Sequence, residues 1–399
     1  MQNNLFYSTT SARFIFSARR GFNKTFYHKD LIVKKSPTTV LNDIPKDTAK
    51  LGFGSNFSDH MVDIDFCEKN GWGKPRIQPI EDFYLHPAAR ALHYGVQLFE
   101  GMKAYHGVDG KIRLFRPEMN IARMKRSAER AVLPDFDADE ALNIIDTFVS
   151  LEHKFIPKSR NGALYVRPFM IASEPTMKVA AGGSSKWCVL SNAVGSYLNP
   201  LDNGVTLLAD PGYVRSWRGG VGEYKMGCNY APTIYVNENA VKNMGCDQVM
   251  WLSGEKRLVT EAGAMNLFVF WKNEQGEDEL ITAPISSGLL LPGVTRDSVL
   301  ELTREWNEFK VSERDFTMDE LAKAIKEKRV HEFFVSGTAA TVVPCGRIVH
   351  KDAQQRIDEV LNIDNIGSKY QLCQRLFKTI TGIQYGEIER KHWQRIIEI

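Results

Sequence analysis

Residues 259–268 read Val259-Thr260-Glu261-Ala262-Gly263-Ala264-Met265-Asn266-Leu267-Phe268, a carboxylate set among small and apolar residues rather than on a charged face. Strand patterns flank it, Gln248 to Ser253 before and Asn266 to Trp271 after. Burying Glu261 there is costly unless a cation or a hydrogen-bond donor meets the carboxylate. A strand-end Glu that accepts a backbone bond would satisfy that condition, and so would a cationic ligand.

Downstream, Leu291-Pro292-Gly293-Val294-Thr295-Arg296 opens a helical pattern that runs from about Thr295 to Asn307, and Ser336-Gly337-Thr338-Ala339-Ala340 follows the strand-like His331 to Val335. Each turn offers small residues, free backbone N–H groups and a threonine hydroxyl, which suits an anion such as phosphate. Taken singly, such turns are ordinarily only turns. Upstream lies Glu223-Tyr224-Lys225-Met226-Gly227-Cys228-Asn229-Tyr230, between Gly219, Gly220 and Gly222 on one side and the helical Ala231 to Met244 on the other. A lysine on that turn can face a ligand, although a lone lysine there ordinarily reads as solvated surface. The glycines satisfy neither of the two glycine-rich nucleotide-loop patterns.

The rest of the chain supplies mixed elements. Helices are expected at Ala88 to Met102, Pro117 to Val132 (with Ile121, Met124, Ala128 and Val132 on one face) and Asp139 to Phe155; strands at Lys111 to Phe115, Leu164 to Ile171, Trp187 to Ala193 and Val205 to Ala209. Thr317 and Glu320 form a capping box for a further helix. A chain of 399 residues exceeds what one core usually supports. Two mixed domains are expected, a small one at 45–193 and a larger one at 205–399, with the Gly, Pro, Asn and Asp of 194–204 as their connection.

The net charge of +3 divides unevenly. Residues 1–36 hold seven basic side chains and the single acid Asp30, so the 51 basic and 48 acidic residues of the whole leave 44 and 47 for the body. A mildly acidic body argues against a nucleic-acid partner. No apolar run approaches the roughly 18 residues of a membrane-spanning helix, so no membrane partner is expected. The Arg-, Ser- and Thr-rich, acid-poor first 36 residues have the composition of a mitochondrial transit peptide, with a disordered basic tail as the alternative. A matrix location is therefore expected, with the cytoplasm as the alternative. Cys67, Cys188, Cys228, Cys246, Cys345 and Cys373 form no Cys-x-x-Cys pair and no cluster with His, which argues against structural zinc and a disulfide framework. No metal is expected.

Glu261, Asn266-Leu267-Phe268, Leu280-Ile281-Thr282 and Leu291 to Arg296, at their present spacings, resemble the signature of the class IV (fold-type IV) aminotransferases. Within that family the eukaryotic branched-chain aminotransferases match through Trp72 to Pro79, Gln97 to Tyr105, Leu114 to Pro117, Tyr165 to Pro168, Glu174-Pro175, Lys225-Met226-Gly227, Val311 to Arg314 and Gln384-Tyr385-Gly386. The resemblance runs from about residue 50 to the end. It implies an α/β (α+β) fold of two domains, similar to D-amino acid aminotransferase, with pyridoxal 5'-phosphate as cofactor. Lys225 then looks like the lysine that joins the cofactor aldehyde and moves the proton between the substrate α-carbon and the cofactor C4′. Glu261 resembles the partner of the pyridine nitrogen and Tyr230 that of the phenolic oxygen. Arg123, Val294, Thr295 and Thr338 resemble the phosphate ligands; without the family, Arg123 would read as a solvated helix position beside Lys125 and Arg126.

The resemblance also implies a substrate wall of Phe53, Phe99, Tyr165, Tyr230 and Ala339, with Tyr94, Met177 and Val179 from a second subunit of a homodimer. Arg167 and the backbone of Thr338 and Ala339 resemble the groups that orient substrate carboxylates. An apolar wall suits an isobutyl or sec-butyl side chain, each buried methylene contributing about 0.8 kcal/mol. Branched-chain amino acids, glutamate and 2-oxoglutarate are the implied small-molecule partners. Two positions depart from the mammalian pattern. Ala340 and Val343 stand where those members carry a Cys-x-x-Cys pair, with Cys345 unpaired at that spacing, and Ala264 stands where they carry threonine. Other fold-type IV enzymes, the D-amino acid aminotransferases and aminodeoxychorismate lyases, share the lysine and glutamate and differ in the aromatic wall. An inactive scaffold of the same fold is the rival from another class.

Overall fold

Pairing of the strands sorts the chain into two sheets, seen in a computed structural model that describes residues 24–37, 48, 51–195, 204–352, 354, 356–364 and 370–399. In chain order the first half runs β1 (Ile32–Val33), β2 (His60–Cys67), β3 (Gly71–Trp72), β4 (Arg76–Pro79), α1 (Arg90–Tyr94), β5 (Gln97–Phe99), β6 (Met102–His106), β7 (Ile112–Phe115), α2 (Pro117–Arg130), α3 (Ala138–Leu151), β8 (Ala163–Ala172) and β9 (Ser184–Val194). The second half opens with β10 (Val205–Ala209), α4 (Ala231–Met244), β11 (Gln248–Ser253), β12 (Leu258–Ala262), β13 (Met265–Lys272), β14 (Asp278–Thr282), α5 (Val294–Trp306) and β15 (Lys310–Glu313). It closes with α6 (Met318–Lys326), β16 (Val330–Gly337), β17 (Thr341–Lys351), β18 (Ile357–Asn362), α7 (Leu372–Gln384) and β19 (Gln394–Ile397).

The first sheet is ordered β1-β4-β2-β9-β8-β6-β7-β19, with β3 on β2 and β5 on β8. Ile121, Met124 and Ala128 of α2 and Ile144, Ile145 and Phe148 of α3 bury their faces in its core. Pro117, whose fixed φ suits a first helical position, starts α2, and the Asp137 side chain caps α3 by accepting from the N–H of Asp139 and Glu140. The second sheet is ordered β12-β11-β10-β17-β16-β13-β14-β15, with β18 on β17. Because β12 pairs with both β11 and β13, six of its strands close into a ring. The Thr317–Glu320 capping box at the start of α6 is present in both directions. No helix among the described residues is long and apolar enough to cross a membrane.

Two expectations need correction. The helix foreseen over Ala88 to Met102 is a single turn, α1, which Gly95 ends in the left-handed conformation (φ 60°). Gln97–Phe99 then pairs with Phe169–Ile171 of β8, and Gly101 passes so close that a Cβ there would overlap Tyr165 Oη. Periodicity along the chain carries no information about that partner strand.

The leader expected over residues 1–36 overlaps the folded body; residues 1–23 lie outside the described residues. Phe26 is 1% exposed and meets Trp72, Phe136 and Trp187 at 5.2–5.9 Å between ring centroids, and β1 pairs in parallel with β4. Phe26→Ala should therefore cost about 3 kcal/mol in urea unfolding; a loss below about 1 kcal/mol would mean that this segment does not belong to the core. At the end of the chain β19 returns to pair with β7 in the first sheet. Residues 196–203, most of the expected connection, lie outside the described residues.

Candidate active site

Glu261 sits on β12 between Trp251 of β11 and Asn266 of β13, and its side chain is 2% exposed. Asn266 Nδ2 donates to its Oε1 at 3.1 Å and to Leu291 O at 2.9 Å, while the Leu291 N–H donates to the same Oε1 at 3.3 Å. Oε2 has Arg215 Nη1 2.8 Å away but no aligned hydrogen bond. Burial pushes the carboxyl of Glu261 up, against the pull of the Arg215 guanidinium and, farther off, of Lys225 and Arg123. The carboxylate thus keeps one oxygen for a further cationic or N–H partner.

The turn that donates from Leu291 leads into α5, whose first residues Val294 and Thr295 are buried and which no side chain caps among the described residues. Gly293 begins it because a Cβ there would overlap Asn266 Oδ1. An uncapped helix start presents free N–H groups and a partial positive charge. Arg123 of α2 reaches the same turn, Nη1 donating to Pro292 O at 2.8 Å. Its Nε and Nη2 donate to the two oxygens of Glu100 at 2.7 and 2.8 Å. Burial opposes the Arg123 charge, and the Glu100 carboxylate more than offsets it, so the guanidinium is held above its ordinary pKa.

Lys225 faces this cluster from the turn before α4. Its N–H donates to Ser127 Oγ at 3.0 Å and its carbonyl accepts from Phe99 N at 3.1 Å, which pins the backbone to α2 and β5. Its Nζ lies 3.3 Å from Tyr230 Oη and 4.9 Å from the centre of the Phe99 ring. Phe99 and Tyr230 meet at 4.9 Å between centroids, Phe53 and Tyr165 at 4.8 Å. Arg167 bridges the two pairs: its guanidinium lies 4.6 Å from the Phe99 ring, and its Nη2 donates to Tyr165 Oη at 3.2 Å.

Thr338 and Ala339 occupy the turn between β16 and β17, where Ala339 O accepts from Lys103 Nζ at 2.8 Å. Lys103 stands directly across from Tyr165 in the β6–β8 pairing, so this bond ties the turn to the aromatic wall. Burial lowers the Lys103 pKa to about 8. A cavity of about 1170 Å³ behind the turn has Ala339 as its only expected site residue and is walled by Tyr105, Ala163 and Thr341 among others, so it is not where Lys225 works.

Lys225, Tyr230, Phe99, Tyr165, Arg167, Phe53, Arg123 and Glu261 thus converge, with the Val294–Thr295 and Thr338–Ala339 turns at their edge. Tyr94, Met177 and Val179 stand apart on the surface, 42%, 73% and 84% exposed, with Tyr94 Oη donating to Met177 O at 2.6 Å. Glu100, Arg215 and Lys103 join the cluster although sequence reasoning did not single them out. Glu100 and Arg215 carried a signal like that of Glu261, a charge flanked by apolar or small neighbours.

The model of the class IV amino-transferase family matches residues 97–348. The chain is 48% identical over 374 residues to the cytosolic branched-chain-amino-acid aminotransferase of Caenorhabditis elegans, covering 94% of this chain and 90% of that one. The chain belongs to the class IV aminotransferases. It is also 46% identical over 344 residues to the mitochondrial branched-chain-amino-acid aminotransferase of Rattus norvegicus, covering 86% of this chain and 85% of that one. Among solved structures, the branched-chain amino acid aminotransferase of Escherichia coli superposes with a TM-score of 0.64 at 23% identity, over 84% of this chain and all of that one. That of Thermobaculum terrenum, solved in its PLP-form, gives 0.65 at 20% over 86% of this chain and all of that one. These two speak for the shared fold alone. The mixed α/β architecture is that of the fold-type IV aminotransferases.

Proposed function

We propose that this aminotransferase moves the amino group of leucine, isoleucine and valine to 2-oxoglutarate, using pyridoxal 5'-phosphate held against Lys225. The observation that carries the reading is the placement of Lys225 Nζ beside Tyr230 Oη within the Phe99 wall, on the side of the site that also holds the buried Glu261 carboxylate, whose Oε2 accepts no aligned hydrogen bond. The residues fit the cofactor at both ends. Glu261 Oε2 is available to a ring N–H, and the uncapped start of α5 is available to a phosphate.

When bound, pyridoxal phosphate supplies an electron sink for charge that develops on the substrate α-carbon. Glu261 would hold the ring nitrogen in its protonated form, and Tyr230 would donate toward the phenolic oxygen. Val294, Thr295 and Thr338 would take the phosphate together with Arg123, which has committed three of the five guanidinium N–H groups to Glu100 and Pro292. Lys225, once neutral, would carry the proton between the substrate α-carbon and C4′. Phe53, Phe99, Tyr165, Tyr230 and Ala339 would exclude water around the aliphatic side chain. Arg167 and the backbone of Thr338 and Ala339 would orient the carboxylates, including the distal one of glutamate.

Purified protein given 2-oxoglutarate and each branched-chain amino acid in turn should form glutamate with all three and little with aspartate; no glutamate from any of the three would overturn the reading. Tyr94, Met177 and Val179 form an exposed patch suited to completing the pocket of a second copy. Sedimentation should therefore give twice the 45.2 kDa chain mass, and a fully active monomer would refute the homodimer. The basic, acid-poor start of the chain supports delivery to the mitochondrial matrix. A reporter carrying residues 1–25 should concentrate there in living cells, whereas diffuse signal would favour the cytoplasm.

A further inference from the structure

We propose that His350, Asp358 and Glu359, on the β17–β18 hairpin, form a binding site for a divalent transition-metal cation. His350 and Glu359 are direct cross-strand partners, so their side chains share a face of the sheet. The register then shifts: Lys351 pairs with Ile357, which leaves Asp358 as an extra residue in β18. Such a bulge re-aims the side chain it carries, and here Asp358 joins the other two. His350 Nδ1 lies 3.7 Å from Asp358 Oδ2 and 3.7 Å from Glu359 Oε1, and the three ligand atoms fall within 4.8 Å of one another.

Separations of 3.7 Å are too long for hydrogen bonds. They are close to the spacing of about 3.4 Å between ligand atoms that tetrahedral bonds of about 2.0–2.1 Å produce. The second observation is His350 itself, which is 2% exposed with neither ring nitrogen hydrogen-bonded among the described residues. A buried nitrogen without a partner is costly, and a cation between it and the two carboxylates would satisfy it. Lys326 Nζ, 2.5 Å from Glu359 Oε2, holds the other Glu359 oxygen toward the imidazole. Asp358 is the exposed member, leaving a way in and room for a water as fourth ligand. One imidazole with two carboxylates suits zinc and its neighbours; calcium and magnesium take six or more mainly oxygen ligands.

The test uses untagged holoenzyme stripped with EDTA and titrated with Zn²⁺ by calorimetry and thermal unfolding, in a Cys228→Ser background that removes the exposed thiol as a competing ligand. One Zn²⁺ should bind per chain and raise Tm by several degrees. His350→Gln and Asp358→Asn should each weaken binding at least tenfold and abolish the Tm rise. His350 lies nine residues along β17 from Thr341, about 30 Å of extended strand, so Asp358→Asn should keep wild-type transamination, which also shows that it folds. If His350→Gln fails to fold, Asp358→Asn decides. Zn²⁺ binding unchanged in the folded variants, or no stoichiometric binding at 100-fold excess over protein, would overturn the site.

Discussion

Replacing Lys225 by Ala lowers leucine transamination by at least about 10²- to 10⁴-fold, the amount that positioned proton transfer alone contributes. The substitution is clean because the Lys225 backbone is pinned from both sides, by Ser127 Oγ at its N–H and by Phe99 N at its carbonyl. Only the amine beside Tyr230 Oη disappears. Arg123, Thr295, Thr338 and Glu261, the proposed cofactor ligands, remain, so equilibrium dialysis should still detect cofactor, while borohydride should fix it covalently to the wild-type chain and no longer to the variant. Lys225→Arg separates charge from chemistry. It keeps a cation in place but cannot give up its proton near neutral pH, and it should be as inactive as the Ala variant. Turnover within a few-fold of wild type in either variant would move the active site to another lysine, and the roles proposed for Tyr230, Glu261 and Arg123 would move with it.

What could be read from the chain depended on how far each signal reached. The helix of Ala231–Met244 was legible to the residue because Pro232 near its start and Gly245 beyond its end are local marks. The Thr317 capping box was legible for the same reason. The placement of Lys225 beside Tyr230 and Phe99, and the burial of Glu261, were legible because each motif is compact and the resemblance spans most of the body. The Ala88–Met102 segment misled because its strand half, Gln97–Phe99, exists only through pairing with residues about 70 positions away. Phe26 misled in the opposite direction: its basic neighbours suggested a leader, whereas its ring fills a gap among Trp72, Phe136 and Trp187. Glu100 and Arg215 escaped notice because a charge among apolar or small neighbours is a weak mark by itself, and the ionic partners that explain them, Arg123 and Glu261, lie far off in the sequence.

Glu100→Ala should destabilise the protein by about 3–5 kcal/mol, the usual loss when one member of a buried ion pair is removed. The Glu100 side chain is 0% exposed and accepts from Arg123 Nε and Nη2, from Asn120 Nδ2 at 2.9 Å and from Gly101 N at 3.2 Å. Its removal leaves the Arg123 guanidinium, 7% exposed, without a counter-charge and strands two further donors. Glu100→Gln keeps one acceptor oxygen and should lose less than Ala, with the charge gone and the new amide NH2 set against a donor that the second oxygen accepted from. The double variant Glu100→Ala/Arg123→Met removes both charges and should recover much of the stability, because an apolar replacement of similar length spares the uncompensated burial. With Arg123 in its proposed role on the phosphate, the double variant should not recover cofactor affinity. Urea unfolding at one fixed protein concentration, with and without added cofactor, reads both quantities, and an unchanged m value keeps the comparison valid. A loss below about 1 kcal/mol in Glu100→Ala would mean that water reaches Arg123. A double variant as weak as the single one would mean that Glu100 acts through Asn120 and Gly101, with Arg123 a bystander.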